Sequence, residues 1–523
     1  MWLKEPGYSE GADAGSLNVI ARNIIFESDV IAATTRGVSQ RFSPGSNALD
    51  FEVVPIGGSV TIGDANTTQQ DFKNGDLSLG PGPGDFARTV IPVDALLGGG
   101  VANLRIFSNG RISVPAQTDL QLGNGGTIEL RAGDIDVAGS INAPGGEISL
   151  QAAQTTTKAT ESELRLSEFG ELNVAGAWTN DFVDLSNGTP LAPVFSDAGN
   201  VALQAVGDLI LESNSLINVN GGGYVDESAT LMAGLGGDVS LSAQPFSPTV
   251  ESKLILDGEI RGFSIEGSGT LSLSAQGFVF GQQQIAGSTT IAPQLFIETG
   301  FQHYEFIANT SGIVVPAGVS LSLARNQLLF GSDNALSSDV RFSEVSSAAT
   351  GSVNELLAGD PSNLPTGEDL FANTVRGQIP LPERKPVNLA LRLARGASDD
   401  GELRVDAGAT IHAEPGATIT LDSDRDLFFD GRILAPGGTV NLTTKRRESV
   451  EEGYLADQSL WLGNNALIDV SAVFIETPQV DGLASGTILD AGEITLAANR
   501  SYLVAESGSE LVLNDVDFAN DAV

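Results

Sequence analysis

Residues 125–152 read GGTIELRAGDIDVAGSINAPGGEISLQA, with apolar residues alternating in short bursts between clusters of Gly, Asn, Asp and Pro. Ile128 and Leu130, then Ile135 and Val137, then Ile141, then Ile148 and Leu150 form these bursts. Period-two alternation broken by turn residues predicts strands of a few residues each, half buried. The pattern recurs far downstream. Gly139-Ser-Ile-Asn-Ala-Pro-Gly-Gly-Glu-Ile-Ser-Leu150 aligns without a gap on Gly431-Arg-Ile-Leu-Ala-Pro-Gly-Gly-Thr-Val-Asn-Leu442. Self-similarity of this kind means that one small unit is used repeatedly and that no single unit can bury its own inner face.

Other copies support this reading. Leu17, Val19, Ala21 and Ile24–Ser28 match Val201, Leu203, Ala205 and Leu209–Ser213; Leu254–Ile260 and Leu427–Ile433 match each other; Ile494–Glu506 is the last copy. A spacing of roughly 20 residues lies within the range of solenoid repeats. It accommodates three short strands with turns, whereas a hairpin sandwich needs longer strands and two-residue turns. The expected fold is therefore all-β: a right-handed parallel β-helix, or β-solenoid, with loop and short-helix insertions. Gly and Asn at its corners supply positive φ angles, and each rung bonds to the next at about 4.8 Å. Roughly 15–20 turns would make a rod of about 70–100 Å.

Three stretches depart from the pattern. Residues 64–100, with Gly80-Pro-Gly-Pro-Gly84, predict a loop excursion, and residues 153–198 predict a larger insertion. Residues 343–387, rich in proline, predict an irregular protrusion or joint between a β-helix segment at 1–342 and another at 388–523, with short helices at 353–358 and 368–376.

Composition narrows the function classes. Only 18% of the residues are charged and the Gly-rich stretches keep their aliphatic residues, which argues against disorder. A net charge of −39 disfavours nucleic acid and anionic lipid as partners. With no cysteine there is no thiol chemistry and no disulfide, which suits a chain that crosses a membrane unfolded and folds outside. No apolar run reaches the roughly 18 residues of a membrane span, and Met1–Gly7 lacks the apolar core of a signal peptide. Repeat-like sequence at both ends favours a fragment of a longer protein.

The rungs at 125–130, 139–146, 236–243 and 431–438, covering with their relatives about two-thirds of the chain, resemble those of filamentous haemagglutinin-type exoproteins, the secreted partners of Gram-negative two-partner secretion systems. Autotransporter passengers share such motifs. The resemblance implies a right-handed parallel β-helix and export through a pore-forming outer-membrane partner, acting on a region absent here. It implies a place outside the cell or on its surface, and attachment to a receptor or polysaccharide on host or bacterial cells, biofilm formation or contact-dependent competition. The Asn-Pro-Asn motifs of the family's secretion domain are missing, which marks an interior or C-terminal part.

Candidate chemistry is sparse, and no catalytic, cofactor or metal site is assigned. Asp399-Asp400-Gly401 is a carboxylate pair of the kind acid–base catalysis uses, but also an ordinary solvated turn before a strand. His303 and His412 do not fit the Gly-His-Gly element of β-helix pectinases, and His412 sits in a strand pattern. Asp422-Ser-Asp424-Arg-Asp426 starts like a calcium loop, yet Leu427 and Ile433 stand where Gly and Glu are needed. Gly221–Gly223 lacks the Lys-Ser/Thr of a phosphate loop and reads as a solenoid corner. Sequons at Asn66, Asn187, Asn309, Asn441 and Asn499 are about as frequent as chance allows, and the basic islands Arg384-Lys385 and Lys445–Arg447 read as salt-bridged surface. Eight Trp and Tyr residues are few for an extended sugar-stacking groove. The leading expectation is a rod-like stalk or adhesive segment, not an enzyme, with contact surfaces at 153–198 or 343–387. The rivals are a carbohydrate-active β-helix enzyme and the stalk of a contact-dependent toxin.

Overall fold

Alternation becomes burial strand by strand. The computed structural model describes residues 10–21, 23–64, 75–80, 89–155, 162–182, 191–228, 230–244, 251–330, 374–394, 401–444, 458–477, 485–498 and 501–515. Strand Thr127–Ala132 buries Ile128, Leu130 and Ala132 and leaves the residues between them half exposed. Asp134–Val137 and Ser140–Asn142 follow after single corners, and then the series begins again. Glu147–Ala152 lies parallel on Thr127–Ala132, and Asn200–Val206 on Glu147–Ala152. Ile128, Ile148 and Val201 thus share one position, as do Leu130, Leu150 and Leu203. The second strands align Ile135, Leu164 and Leu209, and the third align Ile141, Leu172 and Ile217. The protein is all-β in class, built mainly of long parallel sheets.

The chain divides into two units, Met1–Val239 with Ile255–Gly267 and Thr350–Thr374, and Ser240–Leu254 with Ser268–Ala349 and Val375–Val523. The columns just described belong to the first. In the second, Asn388–Leu393, Thr418–Ser423, Thr439–Thr444 and Glu493–Ala498 pair successively in parallel. So do Leu403–Val405, Leu427–Phe429, Leu460–Leu462 and Leu503–Ala505. The inward residues of the middle copies, among them Leu421, Leu427, Ile433, Val440 and Leu442, have no exposed surface. The second unit also has an aromatic core, where Phe278, Phe280, Phe296, Tyr304 and Phe306 meet mostly edge to face.

The two aligned segments of sequence have the same local structure. Gly145 and Gly437 have φ of +64° and +61°, a conformation that favours glycine. The next residues, Gly146 and Gly438, donate their N–H to Ala143 O and Ala435 O at 2.8 and 2.9 Å. A second glycine requirement is steric. A Cβ at Gly146 would lie 1.9 Å from Gly126 O, and one at Gly199 would lie 1.6 Å from Gly146 O. The corner glycines stack backbone on backbone. Asn173 and Asn218 cap the third corner, each accepting at Oδ1 the N–H two residues on, and Asp469 does so in the second unit.

Several expectations are revised. Residues 153–198 are not simply inserted, because Leu164–Leu166 and Glu171–Asn173 occupy ordinary places in the columns. Within 64–100, Leu77–Leu79 and Thr89–Ile91 form a parallel pair and Val93–Leu97 a short helix. Ile24–Ser28 forms no strand: Ile24 is buried but Ile25 is exposed. Of the stretch 343–387 only 374–387 is described; Thr374–Gly377 is a strand where a helix was expected, and the helix expected at 353–358 lies outside the described residues. Among the described residues, two antiparallel hairpins, Gly223–Val225 with Leu231–Ala233 and Val473–Thr477 with Ser485–Leu489, interrupt the parallel pattern.

Candidate functional site

A three-residue strand whose end residues point inward presents one outward residue between them. In Leu403–Val405, Leu427–Phe429 and Leu460–Leu462 the flanking residues are buried, and Arg404, Phe428 and Trp461 face out in register. Val504 continues the row. The rings of Phe428 and Trp461 are stacked, with centroids 6.3 Å apart and planes at 23°. Both rings remain half exposed.

A groove of about 350 Å³ opens over this row, lined by Glu402, Arg404, Asp406, Phe428, Trp461 and Glu506. Residues two apart on a strand share a face, so Glu402 and Asp406 flank Arg404. Arg404 Nη1 donates to Glu402 Oε1 at 2.9 Å and Nε to Asp406 Oδ1 at 2.6 Å. These bonds, that to Asp406 first, raise the guanidinium pKa above its ordinary value. Asp430, also in the lining, accepts the Asn465 backbone N–H at 2.8 Å. Gly463 makes room for it, since a Cβ there would sit 2.2 Å from Asp430 Oδ1. The groove therefore combines an apolar aromatic strip, a guanidinium held in place, and carboxylate acceptors on both sides. Phe428, Trp461 and Arg404 were not singled out in the sequence. The available signal was that each is the middle residue of a Leu-x-apolar triplet.

The residues considered from sequence do not assemble into one site. Asp399 and Asp400 lie outside the described residues, as do Lys445–Arg447 and the sequons at Asn66, Asn187 and Asn499. Asp422 is buried in its strand and accepts the Thr443 hydroxyl at 2.9 Å, while Asp426 accepts the Ser459 N–H at 2.8 Å. Among the described residues, no group of three His, Asp or Glu side chains is placed to hold a metal ion. His412 faces solvent in register with Ser322 and Leu434, and His303 Nδ1 lies 3.1 Å from Asn388 Nδ2. Asn309 donates to Ser274 Oγ at 2.9 Å, and Asn441 is in strand Thr439–Thr444. At Gly221 a Cβ would meet Gly234 O at 2.4 Å, a close backbone approach.

Two buried charge clusters act as internal braces. In the first unit Asp181 accepts from Arg41 Nη2 at 2.6 Å and from the Tyr224 hydroxyl at 2.7 Å. Burial, then the bond to Asp181, pushes the tyrosine pKa up to about 12. In the second, Arg384 is ion-paired with Glu414. Burial raises the Glu414 pKa, against the nearby Arg384 and Arg325.

No protein-family model, curated protein or solved structure matches the chain. No helix among the described residues is long and apolar enough to cross a membrane.

Proposed function

We propose that the chain is a right-handed parallel β-helix serving as a rod-like stalk or adhesive segment of a large secreted or cell-surface protein, of the kind Gram-negative bacteria export by two-partner secretion. The observation that supports this most is the register. Leu403, Leu427 and Leu460, and separately Leu391, Leu421, Leu442 and Leu496, occupy equivalent positions in successive parallel strands. Such columns suit coiled rungs, in which every rung needs a neighbour to cover its inner residues. Inward positions are constrained, so outward positions and inserted segments are free to specialise in contact. The implied partner is a receptor or polysaccharide on a host or bacterial surface; the secretion pore would engage a region outside this chain. The aromatic and acidic groove favours one rival, a carbohydrate-active enzyme on the same scaffold.

Beads coated with the folded chain, applied to bacterial biofilm and epithelial cells, test the reading. Retention well above beads carrying the heat-unfolded chain is expected. Equal retention refutes adhesion, and release of reducing sugar from biofilm polysaccharide replaces it with the enzyme reading.

A further inference from the structure

We propose that the groove over Arg404, Phe428 and Trp461 binds a neutral saccharide, one or two pyranose rings of a surface glycan. This deepens the adhesive reading and rests on it for its biological role. The argument comes from the groove's charges, its shape and the way its polar groups are held.

Charge decides the class of ligand. Among the described residues, Glu402, Asp406, Asp430 and Glu506 give the lining four carboxylates against one guanidinium, on a chain of net charge −39. Uronates, sialylated and sulfated sugars would be repelled on approach and again in the groove. A simple cation meets the opposite difficulty: Arg404 stands in the aromatic row, beside Phe428, and two of the carboxylates already serve it. A divalent ion lacks a converging set of ligands among the described residues. A neutral polyol has neither problem, because each hydroxyl both donates and accepts. It can donate to carboxylate oxygens and accept from the guanidinium while no charge is stripped of water without compensation.

Shape agrees. The rings of Phe428 and Trp461 form an apolar strip against which the C–H face of a pyranose can pack, and about 350 Å³ accommodates a small saccharide. The polar groups are already positioned: Arg404 is tethered at two nitrogens, and Asp430 is fixed by Asn465. Less side-chain freedom is then lost on binding.

Saturation-transfer NMR on the full chain tests the assignment with lactose, cellobiose, maltose and N,N′-diacetylchitobiose, and with glucuronate and glucosamine as charged probes. At least one neutral disaccharide should bind with Kd of about 1 mM, through its ring C–H protons. Trp461→Ala should weaken binding at least about tenfold, whereas Trp461→Phe, which keeps a ring in the row, should stay within about threefold. Circular dichroism checks that both variants fold. Absence of neutral-sugar binding, indifference to Trp461→Ala, or preference for either charged probe overturns the proposal. Bead adhesion lost while saccharide binding persists overturns the adhesive reading alone. Adhesion that persists in Trp461→Ala, with saccharide binding lost, upholds the groove and places the adhesive surface elsewhere.

Discussion

The stacked corner glycines allow a substitution whose cost follows from distances. Alanine at Gly199 would put its Cβ 1.6 Å from Gly146 O, where real Cβ contacts essentially never come under 3.0 Å. Relief needs a movement of about 1.4 Å between neighbouring strands, the difference of those two distances. The obstacle is backbone, so no side chain can swing aside. The adjoining bond from Asn200 N to Gly146 O is 3.0 Å long and would stretch past 4 Å, beyond hydrogen-bonding range. Losing it costs about 1 kcal/mol, and the overpacking about 1–3 kcal/mol more. The sum, about 2–4 kcal/mol, corresponds to a fall in Tm of about 3–7 °C for a unit of this size. Gly123→Ala is the control: it is exposed, and a Cβ there meets nothing within 4 Å. Its effect should stay within about 0.5 kcal/mol. Differential scanning calorimetry on both variants separates the cases. Melting temperatures within about 2 °C of each other would show that the corners do not stack as described.

Two further outcomes follow from named contacts. Asp181→Ala removes the acceptor shared by Arg41 and Tyr224 and leaves a buried guanidinium uncompensated, so urea unfolding should show a loss of about 3–5 kcal/mol; a loss under about 1 kcal/mol would contradict the bracing role. Asp119, partly desolvated yet accepting from Gln121, Ser140 and Asn142, has its pKa lowered from 3.8, so its stabilising effect is present above that value and lost as pH falls through the lower folded-state value. The stability gap between the wild type and Asp119→Asn should therefore shrink in denaturant titrations carried from pH 5 to pH 2, and a constant gap would refute the assignment.

Parallel strands were legible where two or three inward residues alternate cleanly, as in Ile128–Ala132 and Ile148–Ala152, and where a glycine pair marks the corner. They were illegible where the strand is three residues long and follows an irregular segment. Leu164-Arg-Leu166 offers only two inward residues, too few for a periodicity, and only its register with Ile135 and Val137 shows that it is a rung. Ile24–Ser28 failed for the opposite reason. Its residues copy a rung, but only Ile24 of its three apolar residues is buried and no strand forms, so the local pattern lost to the absence of covering structure.

The candidate groove was hidden by the same geometry that creates it. Phe428 and Trp461 are 33 residues apart, the difference of their numbers, with the undescribed segment 445–457 between them, yet register makes them neighbours. A count of aromatic residues finds too few for a binding surface, because it assumes they are spread along the chain. Parallel stacking brings equivalent positions together, so one aromatic residue on each of two rungs makes a continuous strip. Arg404 shows the converse. From the sequence it is one charge just after an acidic turn; in the column it becomes, among the described residues, the one guanidinium lining a groove with four carboxylates. In such a chain, outward chemistry is best sought by aligning the inward residues first and then comparing the residues between them. Applied to Leu403-Arg-Val, Leu427-Phe-Phe and Leu460-Trp-Leu, that procedure brings Arg404, Phe428 and Trp461 together before any contact is measured.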